Sequence, residues 1–201
     1  MLKSLPNLLT GARLVLTLAV LVALAWAAGI GEGELRLELQ TWAFVGFVVA
    51  AVTDFFDGWL ARLLHAQSTL GAILDPIADK VLVCAVVLGL MSQGANAAVV
   101  LPAALILFRE FTVSALREVA AGKGVSLPVT LLAKWKTTFQ LVALGAELLI
   151  AAWAAFGLSD DPGVLGPANL VAHALLWLAA AVTLITGAQY WEQARKALAE
   201  G

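Results

Sequence analysis

The sequence predicts an all-α integral membrane protein, a bundle of six transmembrane helices with both termini cytoplasmic. Three observations carry that expectation. Of 201 residues, 62% are hydrophobic and only 13% charged, about half the charged share of a soluble domain, and the mean hydropathy is +0.94. Such a chain lacks the polar residues to cover itself, so lipid is its solvent. Six apolar runs of spanning length follow one another, roughly 8–30, 40–64, 72–92, 96–119, 129–156 and 168–191. Finally, Lys3, Arg13, Arg62, Lys80, Arg109, Arg117, Lys123, Lys134, Lys136, Arg195 and Lys196 fall at or near the side that carries the termini. Only Arg36 of the twelve basic residues lies on the other. That bias places the termini in the cytoplasm.

Taken in order, the first run is too long for a cleaved leader and lacks a small-residue cleavage site, so it reads as the first span. Segment 31–39, with Glu32, Glu34 and Glu38, connects it to the second. A turn near His65–Thr69 joins the second and third. The connections 92–96 and 157–167 hold the Gly, Pro, Ser, Asn and Asp of turns. No linker or repeat divides the chain, which reads as a single domain, 1–201. The lone cysteine, Cys84, excludes an intrachain disulfide and a cysteine-based metal site. A net charge of −2 says little, and no nucleic-acid partner is expected. Trp153, Trp177 and Trp191 suit the membrane interfaces. His65 and His173 read as interfacial or packed residues, and Glu147, in the middle of the fifth run, has no assigned role.

The second and third runs contain four residues that lipid does not tolerate: Asp54, Asp57, Asp75 and Asp79. Each ionised Asp in mid-span costs about 2.5–3.5 kcal/mol, so a compensating partner is required. Asp54 and Asp57 are three apart and Asp75 and Asp79 four apart, so each pair shares one helix face. Gly58 and Ala61 extend the first stripe, Gly71 and Ala78 the second. Folding the two helices into an antiparallel hairpin brings Asp57 level with Asp75 and Asp54 level with Asp79, because equal rise applies to both arms. Four carboxylates so close cannot all ionise without cations. Lysine or arginine could serve, but all-oxygen ligation is what Mg²⁺ or Mn²⁺ prefers, and two such ions form a clamp suited to phosphoryl chemistry. Pro76 blurs the register: the third helix either kinks there or begins there with Asp75 as its cap.

The motif Asp54-x-x-Asp57-Gly58-x-x-Ala61-Arg62, then eight residues, then Gly71-x-x-x-Asp75-x-x-x-Asp79 resembles the signature of the CDP-alcohol phosphotransferases at every specified position. The resemblance implies a six-helix, homodimeric membrane enzyme that cleaves a CDP-linked donor, releases CMP and joins the remaining group to a hydroxyl acceptor. It implies two divalent cations, Mg²⁺ or Mn²⁺, with Asp54, Asp57 and Asp75 as ligands. Asp79 would be both a ligand and the general base. Gly58, Ala61, Arg62 and Gly71 would line the CDP site, where small residues admit a nucleotide against the backbone and Arg62 offers a fork of donors to phosphate.

The likeness extends to Pro6-Asn7-Leu8-Leu9-Thr10-x-x-Arg13, Phe108-Arg109-Glu110, Ala115-Leu116-Arg117-Glu118, Lys134-Trp135-Lys136-Thr137-Thr138 and Gly187-x-x-Tyr190. These are similar to family members that move phosphatidyl from CDP-diacylglycerol to glycerol 3-phosphate. Thr17 departs from the pattern, standing where a proline is expected. Asn7, Thr10 and Arg13 are expected to help close the nucleotide site. Arg109, Arg117, Lys134 and Lys136, at the cytoplasmic ends of the fourth and fifth helices, are more cations than a neutral alcohol needs and suit an acceptor's phosphate. Positive-inside bias alone also accounts for basic residues there. The expected location is a bacterial plasma membrane, with the active site facing the cytoplasm. Two rivals remain open at this point: another acceptor, either an inositol phosphate or phosphatidylglycerol in cardiolipin synthesis, and a divalent-metal transporter using the aspartates as a transit site.

Overall fold

The computed structural model describes residues 5–63, 69–94, 96–125 and 131–199, with the side chains at 5, 6, 55–63, 69, 70, 72, 131–134, 198 and 199 outside the description. Six long helices follow in order: α1 (Leu5–Gly29), α2 (Glu34–Leu63), α3 (Thr69–Ser92), α4 (Ala97–Gly122), α5 (Leu131–Ala151) and α6 (Pro162–Ala199), with a 3-10 turn at Trp153–Phe156. No strand forms among the described residues. The expected all-α membrane fold is therefore observed. By length and composition, α1, α2, α4 and α6 each contain a segment able to cross a membrane. The other two are long enough, at about 1.5 Å per residue, but every 18-residue stretch of each carries three charged residues. In α3 these are Asp75, Asp79 and Lys80; in α5, Lys134, Lys136 and Glu147.

Two boundaries differ from the sequence reading for clear local reasons. Segment 157–167 was expected to be a turn throughout, yet α6 begins at Pro162. Asp161 Oδ1 accepts a hydrogen bond from Gly163 N at 2.8 Å, so Asp161 caps the helix and Pro162 fills its first position, where a missing N–H costs nothing. The fifth run ends as a regular helix at Ala151, and Gly157 at φ +63° closes the 3-10 turn in the left-handed region. Pro76 lies inside a continuous α3, so Asp75 does not cap that helix.

The chain divides into two compact units, Met1–Ala95 with Leu144–Ala168, and Asn96–Ala143 with Asn169–Gly201. In the first, α1 packs against both α2 and α3. The approach is close because glycines face it. A Cβ on Gly46 would sit 2.9 Å from Val20 Cγ2, and one on Gly89 would sit 2.9 Å from Leu24 Cβ. Ala27, Ala43, Ala50 and Ala78 are fully buried alongside. Small residues at helix contacts are how membrane helices gain dispersion energy where the hydrophobic effect gives none. Large apolar side chains such as Leu8, Trp26, Trp42 and Val22 point outward instead, as a lipid solvent permits. In the second unit, Val113, Ala120, Tyr190 and Ala194 form a buried cluster.

Candidate active site

Within the first unit, α1 supplies the groups that meet the aspartates. Asn7, Thr10 and Arg13 recur every three residues, and so share a face of an otherwise apolar helix. Thr10 Oγ1 donates to Asp75 Oδ1 at 2.8 Å. Arg13, only 2% exposed, places its Nη1 directly against Asp54 Oδ1 and 3.3 Å from Asp79 Oδ1. One nitrogen thus touches an acid of α2 and an acid of α3, the pair that hairpin geometry sets level. Thr10 and Arg13, expected to help close the nucleotide site, lie against the carboxylates. Their signal in the sequence was the polar stripe on α1, since polar atoms on a helix in lipid must turn toward protein.

The donor set consists of hard carboxylate oxygens. Asp54, Asp75 and Asp79 bring three negative charges against the single guanidinium of Arg13, and the Asp54 and Asp79 side chains remain 32% and 45% exposed. An excess of accessible anionic oxygen suits a divalent ion such as Mg²⁺ or Mn²⁺. Among the described residues, no three carboxylate, imidazole or thiol side chains already converge on one point as a ready cage. The side chain of Asp57 lies outside the described residues, as do those of Gly58, Ala61 and Arg62 in the expected CDP-binding stretch. Gly71 is buried.

In the second unit, three of the expected phosphate-binding cations are described. Arg109, 6% exposed, donates through Nη1 to Glu110 Oε1 at 3.3 Å and through Nη2 to Thr186 Oγ1 at 3.2 Å. Lys136 Nζ also donates to Glu110 Oε1. Gln140 Nε2 reaches the same oxygen at 3.2 Å and Thr183 Oγ1 at 2.8 Å. Tyr190, itself buried, lies under two guanidinium groups, with Arg109 at 5.6 Å and Arg117 at 6.0 Å from its ring centroid. Both distances fall within cation–π range. Gly187 makes room for this arrangement, since a Cβ there would meet Arg109 Cγ at 2.8 Å. The structure therefore joins Arg109, Arg117 and Lys136 through Glu110 and Tyr190, whose part was not read from sequence. Lys134 has its side chain outside the described residues.

Comparison with known proteins places the chain in a family. The family described as CDP-alcohol phosphatidyltransferase matches residues 3–185. A protein of Cereibacter sphaeroides named CDP-diacylglycerol–glycerol-3-phosphate 3-phosphatidyltransferase is 41% identical, over 97% of this chain and 96% of its own. A Rickettsia felis protein of the same name is 36% identical over 96% and 97%, and one from Shigella flexneri serotype 5b is 42% identical over 74% and 76%. With the signature aspartates in α2 and α3, a family match over most of its length and relatives of near-equal extent, the chain belongs to the CDP-alcohol phosphatidyltransferase family.

Proposed function

We propose that the protein transfers the phosphatidyl group of CDP-diacylglycerol to a primary hydroxyl of glycerol 3-phosphate, giving phosphatidylglycerol phosphate and CMP. The observation that carries this reading is the joint presence of two features. One is the four-aspartate signature on α2 and α3; the other is similarity, at 36–42% identity, to relatives named for that reaction. The acceptor oxygen bonds to the phosphorus bearing diacylglycerol, and the bond from that phosphorus to the CMP oxygen breaks. Asp79 takes the hydroxyl proton, a task set by position within hydrogen-bond reach rather than by basicity. Asp54, Asp57, Asp75 and Asp79 would hold two divalent cations, Mg²⁺ or Mn²⁺. When bound, these supply neutralisation of the pyrophosphate and of CMP as leaving group. Gly58, Ala61, Arg62 and Gly71 would receive the CDP moiety.

Arg109, Arg117, Lys134 and Lys136 take the acceptor's phosphate in this reading. The support is a pre-arranged basic group: two guanidinium groups held over one buried ring, and a lysine fixed by Glu110. Groups already ordered lose little freedom when a dianion arrives. The enzyme acts in a bacterial plasma membrane as a homodimer, with the site open to the cytoplasm. Purified protein incubated with CDP-diacylglycerol and each candidate acceptor in turn tests the proposal. Glycerol 3-phosphate should give CMP release, while inositol phosphate and phosphatidylglycerol should not. Turnover confined to either of the latter would refute the choice of acceptor.

A further inference from the structure

Glu110 ties the basic group of the second unit together in a lopsided way. Arg109 Nη1, Lys136 Nζ and Gln140 Nε2 all donate to one of its oxygens, Oε1. Two of these donors are anchored again on α6, Arg109 at Thr186 and Gln140 at Thr183. The second oxygen, Oε2, accepts from none of the described residues, and the Glu110 side chain keeps 14% of its surface exposed. Arg109, Lys136 and Gln140 are all more deeply buried. The protein thus fixes this carboxylate through one oxygen and leaves the other with accepting capacity to spare.

An ionised carboxylate only accepts hydrogen bonds, so a group that completes Oε2 must donate. Lys136 Nζ bonds Glu110 directly, and a phosphate oxygen held by the same nitrogen lies roughly 6 Å or less from that carboxylate, two hydrogen-bond lengths. Phosphate and carboxylate repel at that range unless a donor stands between them. A hydroxyl on the carbon beside the phosphate-bearing one is such a donor. We propose that Glu110 is a specificity-determining residue: Oε1 holds the cations that take the acceptor's phosphate, and Oε2 accepts a hydrogen bond from the acceptor's secondary hydroxyl. This rests on the reading of Arg109 and Lys136 as phosphate-binding residues. Glycerol 3-phosphate carries two hydroxyls. The primary one is the nucleophile and gives up its proton, so the secondary one is the donor left to be read.

The test compares CMP release from CDP-diacylglycerol with two acceptors, glycerol 3-phosphate and 3-hydroxypropyl phosphate. The second keeps the phosphate and the primary hydroxyl but lacks the secondary one. Wild type should favour glycerol 3-phosphate by about 10–100-fold in kcat/KM, the worth of a hydrogen bond to a charged group. Glu110→Gln removes the charge and should shrink that preference by about fivefold or more. The preference is a ratio within one preparation, so a poorly folded variant lowers both rates and leaves it unmoved. Lys136→Met should raise KM for both acceptors alike. Equal use of the two acceptors by wild type overturns the proposal without any variant, and so does a preference that Glu110→Gln retains in full. Both results leave the acceptor assignment standing. Wild-type KM values in Lys136→Met, or no CMP release with either acceptor, remove the underlying phosphate reading and the proposal with it.

Discussion

At the residue scale, the two polar groups differ in how they respond to substitution. Asp79→Asn keeps the shape of the side chain but removes the proposed proton acceptor, so kcat should fall by about 10²–10⁴-fold, the usual worth of a general base. CMP release under saturating substrates measures it. In the proposed acceptor site, Gly187→Ala would press on Arg109, because the added methyl would stand 2.8 Å from Arg109 Cγ. Its expected result is a KM for glycerol 3-phosphate raised about tenfold, with kcat held within a factor of two, the pattern of lost ground-state binding. An unchanged KM would show that the position of Arg109 is immaterial to the acceptor. Thr17 provides a contrast. Its hydroxyl is buried without a hydrogen-bond partner among the described residues, so Thr17→Val should leave the melting temperature unchanged or raise it.

At the element scale, α1 proves to be the helix that organises the acidic site. Its contact with α3 depends on Gly89, where a Cβ would lie 2.9 Å from Leu24 Cβ. Gly89→Ala should destabilise the protein by about 1–3 kcal/mol through overpacking, and Leu24→Ala in the same chain should recover part of that loss. Thermal unfolding of the single and double variants in detergent reads both numbers. Much of this arrangement was legible in the sequence. Apolar runs bounded by turn residues located six helices, and the spacing of the aspartates placed Asp54 and Asp79 where one side chain touches both. The part of α1 was not legible, because an amphipathic stripe names a face without naming what it meets. Glu110 was passed over for a similar reason. Next to Arg109 in sequence it reads as a simple neighbour pair, and only folding brings Lys136 and Gln140 to the same oxygen. Asp161 and Pro162 did carry a helix-start signal, which the surrounding Gly and Asp residues masked.

At the scale of the whole molecule, the division into two units separates the chemistry by residue. The aspartates belong to the first, while Arg109, Arg117 and Lys136 belong to the second. The expected topology puts the termini in the cytoplasm and segment 157–161 on the opposite side. In a Cys84→Ala background, Ser159→Cys should react with an impermeant maleimide added outside intact cells, and a cysteine beyond Lys196 should not. Reaction at both or neither would contradict the orientation.

On the proposed mechanism, the acids on α2 and α3 serve phosphatidyl transfer by holding divalent cations. Its most direct measurement is CMP release by the purified protein from CDP-diacylglycerol and glycerol 3-phosphate, before and after chelation. CMP should form in equal amount to phosphatidylglycerol phosphate, both should be lost with chelator, and Mg²⁺ or Mn²⁺ should restore them. Undiminished product in chelator, after exhaustive metal removal, would contradict it.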